Sequence, residues 1–517
     1  MNTDRAATHE PSLSGADDEH VRLSNVRPAH WPTPTPAGRY HLVVIGGGTA
    51  GLVSAAIAAG LGARVALIER HQMGGDCLNV GCVPSKALLR SARAWHDART
   101  AADRFGGPSV NGDGDFAAVV ARMRRLRAGL SRVDSAARFR ELGVDVFFGN
   151  ARFTDGERVA VTNDDGSVSS LHCRRAIIAT GGRAAVPDIP GLRDAGYLTN
   201  ETIFDVDVLP KKLLVIGAGP IGCELAQAFA RFGGQVTILD SGARLLPRED
   251  ADAARLVAAS LAADGITMRT GVTIRSVRTD SAQRVISYEV DGAKQEASGN
   301  AILVAAGRAP NLDGLGLEEA GVAHGLKGIV VNDRFRTSNA RVYAIGDCAS
   351  PYQFTHAADA QARRAVANAL FFGLGGGKAS EIVMPWGTYT SPEVAHTGMT
   401  WEEAERAGSQ VKALTIPMAE VDRAVLDGEE EGFLRVYLAA GTDRILGATM
   451  VAEHAGEIIT ELTAAIVNGV GLGGLGKTIH PYPTQAEAIR KAADAHSRER
   501  LTPRAKRIFA LFFGATA

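Results

Sequence analysis

The sequence predicts an α/β protein with two Rossmann-like dinucleotide-binding units. Two stretches carry that prediction, HLVVIGGGTAGLVSAAIAAGLGARVALIER and its near-repeat KLLVIGAGPIGCELAQAFARFGGQVTILDS. Each reads as an apolar strand, a glycine turn, a small-residue helix and a second strand. Spacing is the third observation: Gly46, Gly48 and Gly51 lead to Glu69, and Gly217, Gly219 and Gly222 lead to Asp240, with 23 residues from first glycine to acid in both.

A lone GxGxxG is a weak signal. With a strand before it, a helix after it and an acid ~20 residues on, it is a dinucleotide fingerprint. The glycines let the backbone approach a pyrophosphate, the helix N-terminus stabilises its charge, and the acid accepts from ribose hydroxyls. The competing reading, a glycine-rich turn in a nucleotide-free domain, is disfavoured by the repeat at equal spacing. One chain therefore binds two dinucleotides.

With 517 residues the chain has room for about three domains of ~150 residues. A net charge of −1 gives no electrostatic case for nucleic acid. No apolar run reaches the ~18 residues of a membrane span, and no signal-peptide core opens the sequence. Five cysteines are too few for a secreted disulfide scaffold and suit a cytoplasmic protein. Residues 1–38 are polar and Pro-rich and are expected to be a disordered tail.

GGDCLNVGCVPSKALL, Gly74 to Leu89, follows directly on the first fingerprint. Gly75 and Gly81 allow the tight backbone of a short Cys77–Cys82 loop. Pro84 suits a first helical turn, which puts Cys82 at a helix N-terminus where the macrodipole favours thiolate. Lys86 follows one turn later, where its cation can contact a flavin. A structural thiol pair or a zinc half-site is the alternative; no further local ligand set is evident, so no metal site is expected. A redox sulfur pair beside a dinucleotide needs a carrier that takes a hydride and passes an electron pair to sulfur. Flavin does this, and nicotinamide alone does not. FAD is thus assigned to Gly46–Glu69 and the nicotinamide cofactor to Gly217–Asp240.

On these residues the sequence resembles the class I FAD-dependent pyridine nucleotide–disulfide oxidoreductases, over about residues 39–500. IIATGG (Ile177–Gly182), VAAGRAPN (Val304–Asn311) and VYAIGDC (Val342–Cys348) are similar to that family's crossing segments. The resemblance implies further cofactor-binding residues at Thr180, Gly181, Asp347, Thr355 and Gly307, and a Glu224 that pairs with Lys86. It implies an FAD-binding domain over 39–190 and 309–380 and an NAD(P)-binding domain over 191–308. It also implies an α+β dimerisation domain over 383–500, hence a homodimer whose active sites borrow residues from the partner. Hydride from NAD(P)H passes through the flavin to a Cys77–Cys82 disulfide, Cys82 being flavin-proximal, and Cys77 attacks the substrate.

HPYPTQAEA is where the sequence departs from dihydrolipoamide dehydrogenase and glutathione reductase. Those relatives place a histidine before Pro-Thr and a glutamate after it, as acid–base and its orienter. Here Pro483, Thr484 and Glu487 match, but Tyr482 replaces the histidine. A phenol of pKa ~10 is a poor thiol proton shuttle. Tyrosine there resembles mercuric reductase, with Tyr482 handling a thiophilic metal; core packing of its ring is the alternative. His480 either turns inward as a substitute acid–base or is a surface loop residue, and a displacement of about 6–7 Å favours the loop. Mercuric reductases carry a vicinal cysteine pair near the C-terminus, whereas no cysteine follows Cys348, nor is there one in residues 1–38. An efficient Hg(II) thiol relay is therefore not expected.

Asp240 favours the free 2′-hydroxyl of NAD(H) over a 2′-phosphate, although Arg244 can meet a phosphate if its loop bends. Cys173, Cys223 and Cys348 read as small core residues. The tail Arg500–Ala517 is basic, then apolar. It is expected to dock on its own domain rather than touch a membrane. The reading is a cytoplasmic, homodimeric, mercuric-reductase-like flavoenzyme that reduces a small disulfide or thiophilic acceptor. Its alternatives are a dihydrolipoamide dehydrogenase with an altered proton shuttle, or a flavin-bound redox-sensing interaction protein.

Overall fold

The computed structural model describes residues 15–36, 38–110, 112–163, 165–371, 373–499 and 501–516. The short apolar runs LVVI (Leu42–Ile45) and VALIE (Val65–Glu69) are buried at every position. Such runs belong inside a parallel sheet covered on both faces. They lie in an eight-stranded sheet with parallel neighbours Val144–Phe153, Val65–Glu69, Leu42–Ile45, Ala176–Ile178 and Val342–Ala344 in that order. Helices Thr49–Gly60 and Thr355–Leu370 pack together against it.

The second fingerprint builds a four-stranded parallel sheet in the order Thr267–Arg269, Gln235–Leu239, Lys212–Ile216, Ala301–Val304. A three-stranded antiparallel sheet, Thr273–Asp280 to Ala293–Gly299, stands beside it. A further sheet has five antiparallel strands, Pro385–Thr388, Glu393–Gly398, Ile445–Ala452, Phe433–Ala439 and Val411–Pro417, with helices Ala455–Val467 and Glu487–Glu499 against it.

The two glycine turns are the same local structure. Gly46 and Gly217 have φ of 106° and 110°, and a Cβ on either would come within 2.3 and 2.4 Å of the carbonyl oxygens of Ala179 and Ala305. A Cβ on Gly51 or Gly222 would strike the Gly46 or Gly217 carbonyl at 1.8 or 2.1 Å. Only glycine lets helix and strand approach this closely.

Two expectations are corrected at the chain ends. The tail predicted to be disordered holds a helix, Gly15–Val26, with Asp18, Arg22 and Val26 buried. Arg22 donates to Asn79 Oδ1 and, at 2.6 Å, to Gln72 Oε1, while Arg127 donates to the Asn79 carbonyl at 2.9 Å. Trp31 donates to the Val146 carbonyl at 2.9 Å. Long-range polar ties thus order a segment too polar to order itself; residues 1–14 lie outside the described residues. At the other end, Pro503–Thr516 is a helix, as a docked segment would be, but it is not docked. From Leu501 to Gly514 every residue is exposed except a partly covered Ala505. Among the described residues, no helix is long and apolar enough to cross a membrane.

Candidate active site between two dinucleotide cradles

A single cavity of about 1870 Å³ is lined by both glycine turns, by Glu69 and Asp240, and by Cys77, Cys82, Lys86, Thr180, Gly181, Gly307, Asp347 and Thr355. The backbone explains how these meet. Cys77 lies in the short helix Gly75–Val80, Gly81 breaks it, and Cys82 begins the long helix Cys82–Phe105. The expected N-terminal placement of Cys82 is found. Both sulfurs are free thiols within hydrogen-bonding reach of each other.

The two thiols are electrostatically unlike. A hydrogen bond from Cys77, helped by Thr355 and by the Lys86 cation, lowers the Cys82 pKa to about 6 against the opposing effect of burial. The Cys77 thiol is pushed up by the same contact and by burial. Cys82 Sγ lies 3.4 Å from Thr355 Oγ1 at the start of helix Thr355–Leu370. Cys82 is therefore the thiolate at neutral pH, with Cys77 as its proton-bearing neighbour. Cys173, Cys223 and Cys348 are buried, and burial raises each thiol pKa, that of Cys173 to about 11.

One turn beyond Cys82, Lys86 Nζ meets Glu224 Oε2 at 2.7 Å. Burial opposes the ammonium charge, but Glu224 overrides it and holds the Lys86 pKa above its usual value. The other Glu224 oxygen accepts the Tyr389 N–H at 2.9 Å, and Lys86 Nζ sits 4.5 Å from the Tyr389 ring centroid. Arg308 bridges Asp76, next to Cys77, and Asp347, whose Oδ2 is 3.1 Å from Nε. Burial and Asp76 raise the Asp347 pKa against the lowering by Arg308. Sequence reading missed Arg308 and Tyr389 as site residues. The available signal was that an arginine beside Gly307 needs an acid if it is buried.

The two acids repeat each other. Glu69 accepts the N–H groups of Gly47 and His71, and Asp240 those of Ala218 and Gly242, all four at 2.6 Å. Each acid thus closes its own glycine turn. Arg244 donates to the carbonyls of Leu246, Pro247 and Glu249 at 2.9, 3.1 and 2.8 Å, which ties its guanidinium to its own loop. Glu249, in that loop, accepts from Trp386 Nε1 at 2.8 Å; burial raises its pKa to about 7, and its Oε2 is buried with no partner among the described residues.

The C-terminal residues are not brought to this cavity within one chain; His480, Tyr482 and Glu487 do not line it. Tyr482 is 70% exposed and donates to Asp422 Oδ2 at 3.0 Å, which excludes core packing of its ring within the protomer. His480 is not the surface loop residue that was favoured. Its side chain is 6% exposed, with Nε2 held 3.1 Å from Glu461. Glu461 lies on helix Ala455–Val467, so the imidazole packs against that helix and not toward solvent. Glu487 opens helix Glu487–Glu499 with one carboxylate oxygen buried and, among the described residues, unpartnered.

Two glycine cradles joined through a thiolate–lysine junction define a two-dinucleotide redox protein acting through sulfur. The chain belongs to the pyridine nucleotide-disulphide oxidoreductases: that family's model matches residues 40–362, and the model of its dimerisation domain matches residues 384–493. The family is FAD-dependent and uses NAD(P)H. The chain is 35% identical to a mercuric reductase of Streptomyces lividans, over 89% of this chain and 97% of that one. It is 33% identical to a dihydrolipoyl dehydrogenase of Bacillus subtilis, over 88% and 98% respectively. Among solved structures it is similar to the HOCl-induced flavoprotein disulfide reductase RclA of Escherichia coli in its Cu(II) complex (TM-score 0.77, 27% identity, 89% of this chain and 100% of that one).

Proposed function

We propose that this oxidoreductase moves electrons from NADH to a thiophilic acceptor through Cys77 and Cys82, in the manner of mercuric reductase, as a homodimer. The observation that carries the reading is the place of Cys82: at a helix N-terminus between the two cradles, with a pKa lowered to about 6 and Lys86 one turn away. FAD would be held by Gly46–Glu69, Thr180, Gly181, Asp347 and Thr355 in a domain of residues 39–190 and 309–380. NAD(H) would be held by Gly217–Asp240 and Gly307 within residues 191–308. The bound pair supplies hydride transfer and two-electron relay to sulfur.

The chain's own residues divide the remaining work. Lys86, held by Glu224, would offer positive charge to a bound flavin. Cys82, as the thiolate, is the sulfur beside which FAD would bind in the shared cavity. Cys77, the thiol with the raised pKa, faces the substrate and attacks it once deprotonated. Tyr482 and Glu487 reach this point from the partner subunit, which is consistent with their absence from the cavity of their own chain. His480, bound to Glu461, supports the Tyr482 loop from below. Preference for NADH rests on Asp240, whose charge repels a 2′-phosphate, and on the commitment of Arg244 to its own loop.

The test is steady-state NADH oxidation by the purified FAD-loaded protein with lipoamide, against Hg(II) buffered by excess small thiol. Turnover with Hg(II)–thiol, slow for want of a C-terminal cysteine relay, and none with lipoamide is expected. Tyr482→Phe should lower that turnover by about tenfold without slowing flavin bleaching by NADH. Rapid turnover of lipoamide with none of Hg(II) would replace this reading by a dihydrolipoamide dehydrogenase.

A further inference from the structure

The helix Pro503–Thr516 has no role in the chemistry above. It carries Arg504, Lys506 and Arg507 and no acid. Ile508, Phe509, Leu511, Phe512 and Phe513 are each at least half exposed. At 3.6 residues per turn, Ala505, Ile508, Phe509, Phe512 and Phe513 fall on one face. Arg507 lies opposite that face, and Arg504 and Lys506 flank its two edges.

We propose that this helix is a surface anchor for anionic phospholipid. Cations that flank an apolar face reach outward to headgroup phosphates while the face enters the acyl boundary. Its 14 residues span about 21 Å, short of the ~30 Å hydrocarbon core, so it lies along the surface and does not cross. Packing against the same helix of a second copy fits less well. A parallel two-fold contact would bring the flanking cations together with no acid on either helix to pair them, and an antiparallel one would lay the cationic first turn against the partner's apolar end. The expectation that the tail docks on its own domain fails on the same exposures.

The experiment is co-sedimentation of the full-length, FAD-loaded protein with phosphatidylcholine vesicles, with and without phosphatidylglycerol. Binding to the anionic vesicles alone, reversed by salt, is expected. Reversing all three cations (Arg504→Glu, Lys506→Glu, Arg507→Glu) should weaken it about a hundredfold. The apolar-face variant Ile508→Asp with Phe512→Asp should also abolish it. Both variants should keep NADH oxidation in solution and the dimer seen by sedimentation velocity. Failure of the unmodified chain to pellet with anionic vesicles, or equal pelleting with neutral ones, overturns the proposal. So does conversion of the apolar-face variant to a monomer, which would assign the helix to a second copy.

Discussion

Lys86 Nζ lies 2.7 Å from Glu224 Oε2, tying the helix that begins at Cys82 to the helix that follows the second glycine turn. The two residues are 138 positions apart, so this contact sets the cysteine pair relative to the second glycine turn. The Glu224 side chain is only 6% exposed and serves two donors, Lys86 and the Tyr389 amide.

Glu224→Gln keeps an acceptor for the Tyr389 amide and removes the charge that holds Lys86 in place. Reduction of the flavin by NADH, followed by stopped-flow bleaching, should slow by about tenfold, a barrier increase of ~1.4 kcal/mol. Glu224→Ala also leaves the amide without an acceptor, and urea denaturation should show an additional loss of about 2 kcal/mol. Unchanged bleaching in the glutamine variant would remove the pair from the electron path.

Cys82 should titrate far below an ordinary thiol of pKa ~8.5. Alkylation of the NADH-reduced protein by iodoacetamide should rise through a midpoint of about pH 6. Below that pH the sulfur is protonated and acceptor turnover should fall. Because the contact with Cys77 is the largest cause of the shift, Cys77→Ala should move the midpoint up towards the ordinary range. A midpoint near ~8.5 in the unmodified protein would refute the assignment of Cys82 as the thiolate.

Asp240 should make kcat/KM for NADH at least about tenfold larger than for NADPH, and Asp240→Ser should narrow that gap by relieving repulsion of the 2′-phosphate. Greater efficiency with NADPH in the unmodified enzyme would show that Arg244 leaves its loop carbonyls to meet the phosphate.

Glu249 gives a stability prediction with a definite sign. Burial raises its carboxyl pKa to about 7 in the folded state, against about 4.3 in the unfolded chain. The folded protein holds that proton more tightly, so the associated stability is fully present below about pH 4 and is lost as pH rises through about 7. The loss is on the order of 3 kcal/mol. Urea midpoints of the unmodified protein should fall across that window more than those of Glu249→Gln. Parallel pH profiles for the two proteins would show that Glu249 ionises normally.

The sequence by itself determined what depends on neighbours along the chain. The two glycine turns and the start of a helix at Cys82 follow from local sterics, because a positive φ at Gly46 or Gly217 and a proline two residues after Cys82 act within a few residues. The resemblance, and not the spacing, pointed from Lys86 to Glu224. Tertiary structure alone decided the rest. The polar segment Gly15–Val26 folds because Arg22 and Arg127 reach Asn79, one its side chain and the other its carbonyl, a convergence of three distant residues that no local pattern encodes. Arg308 joins the site because two acids, Asp76 and Asp347, converge on it. His480 and Tyr482, two residues apart, part company because one packs beneath helix Ala455–Val467 while the other faces solvent. Helix Pro503–Thr516 has a pattern suited to docking, yet it stands clear of the body, because amphipathicity specifies that a face is to be covered and not what covers it.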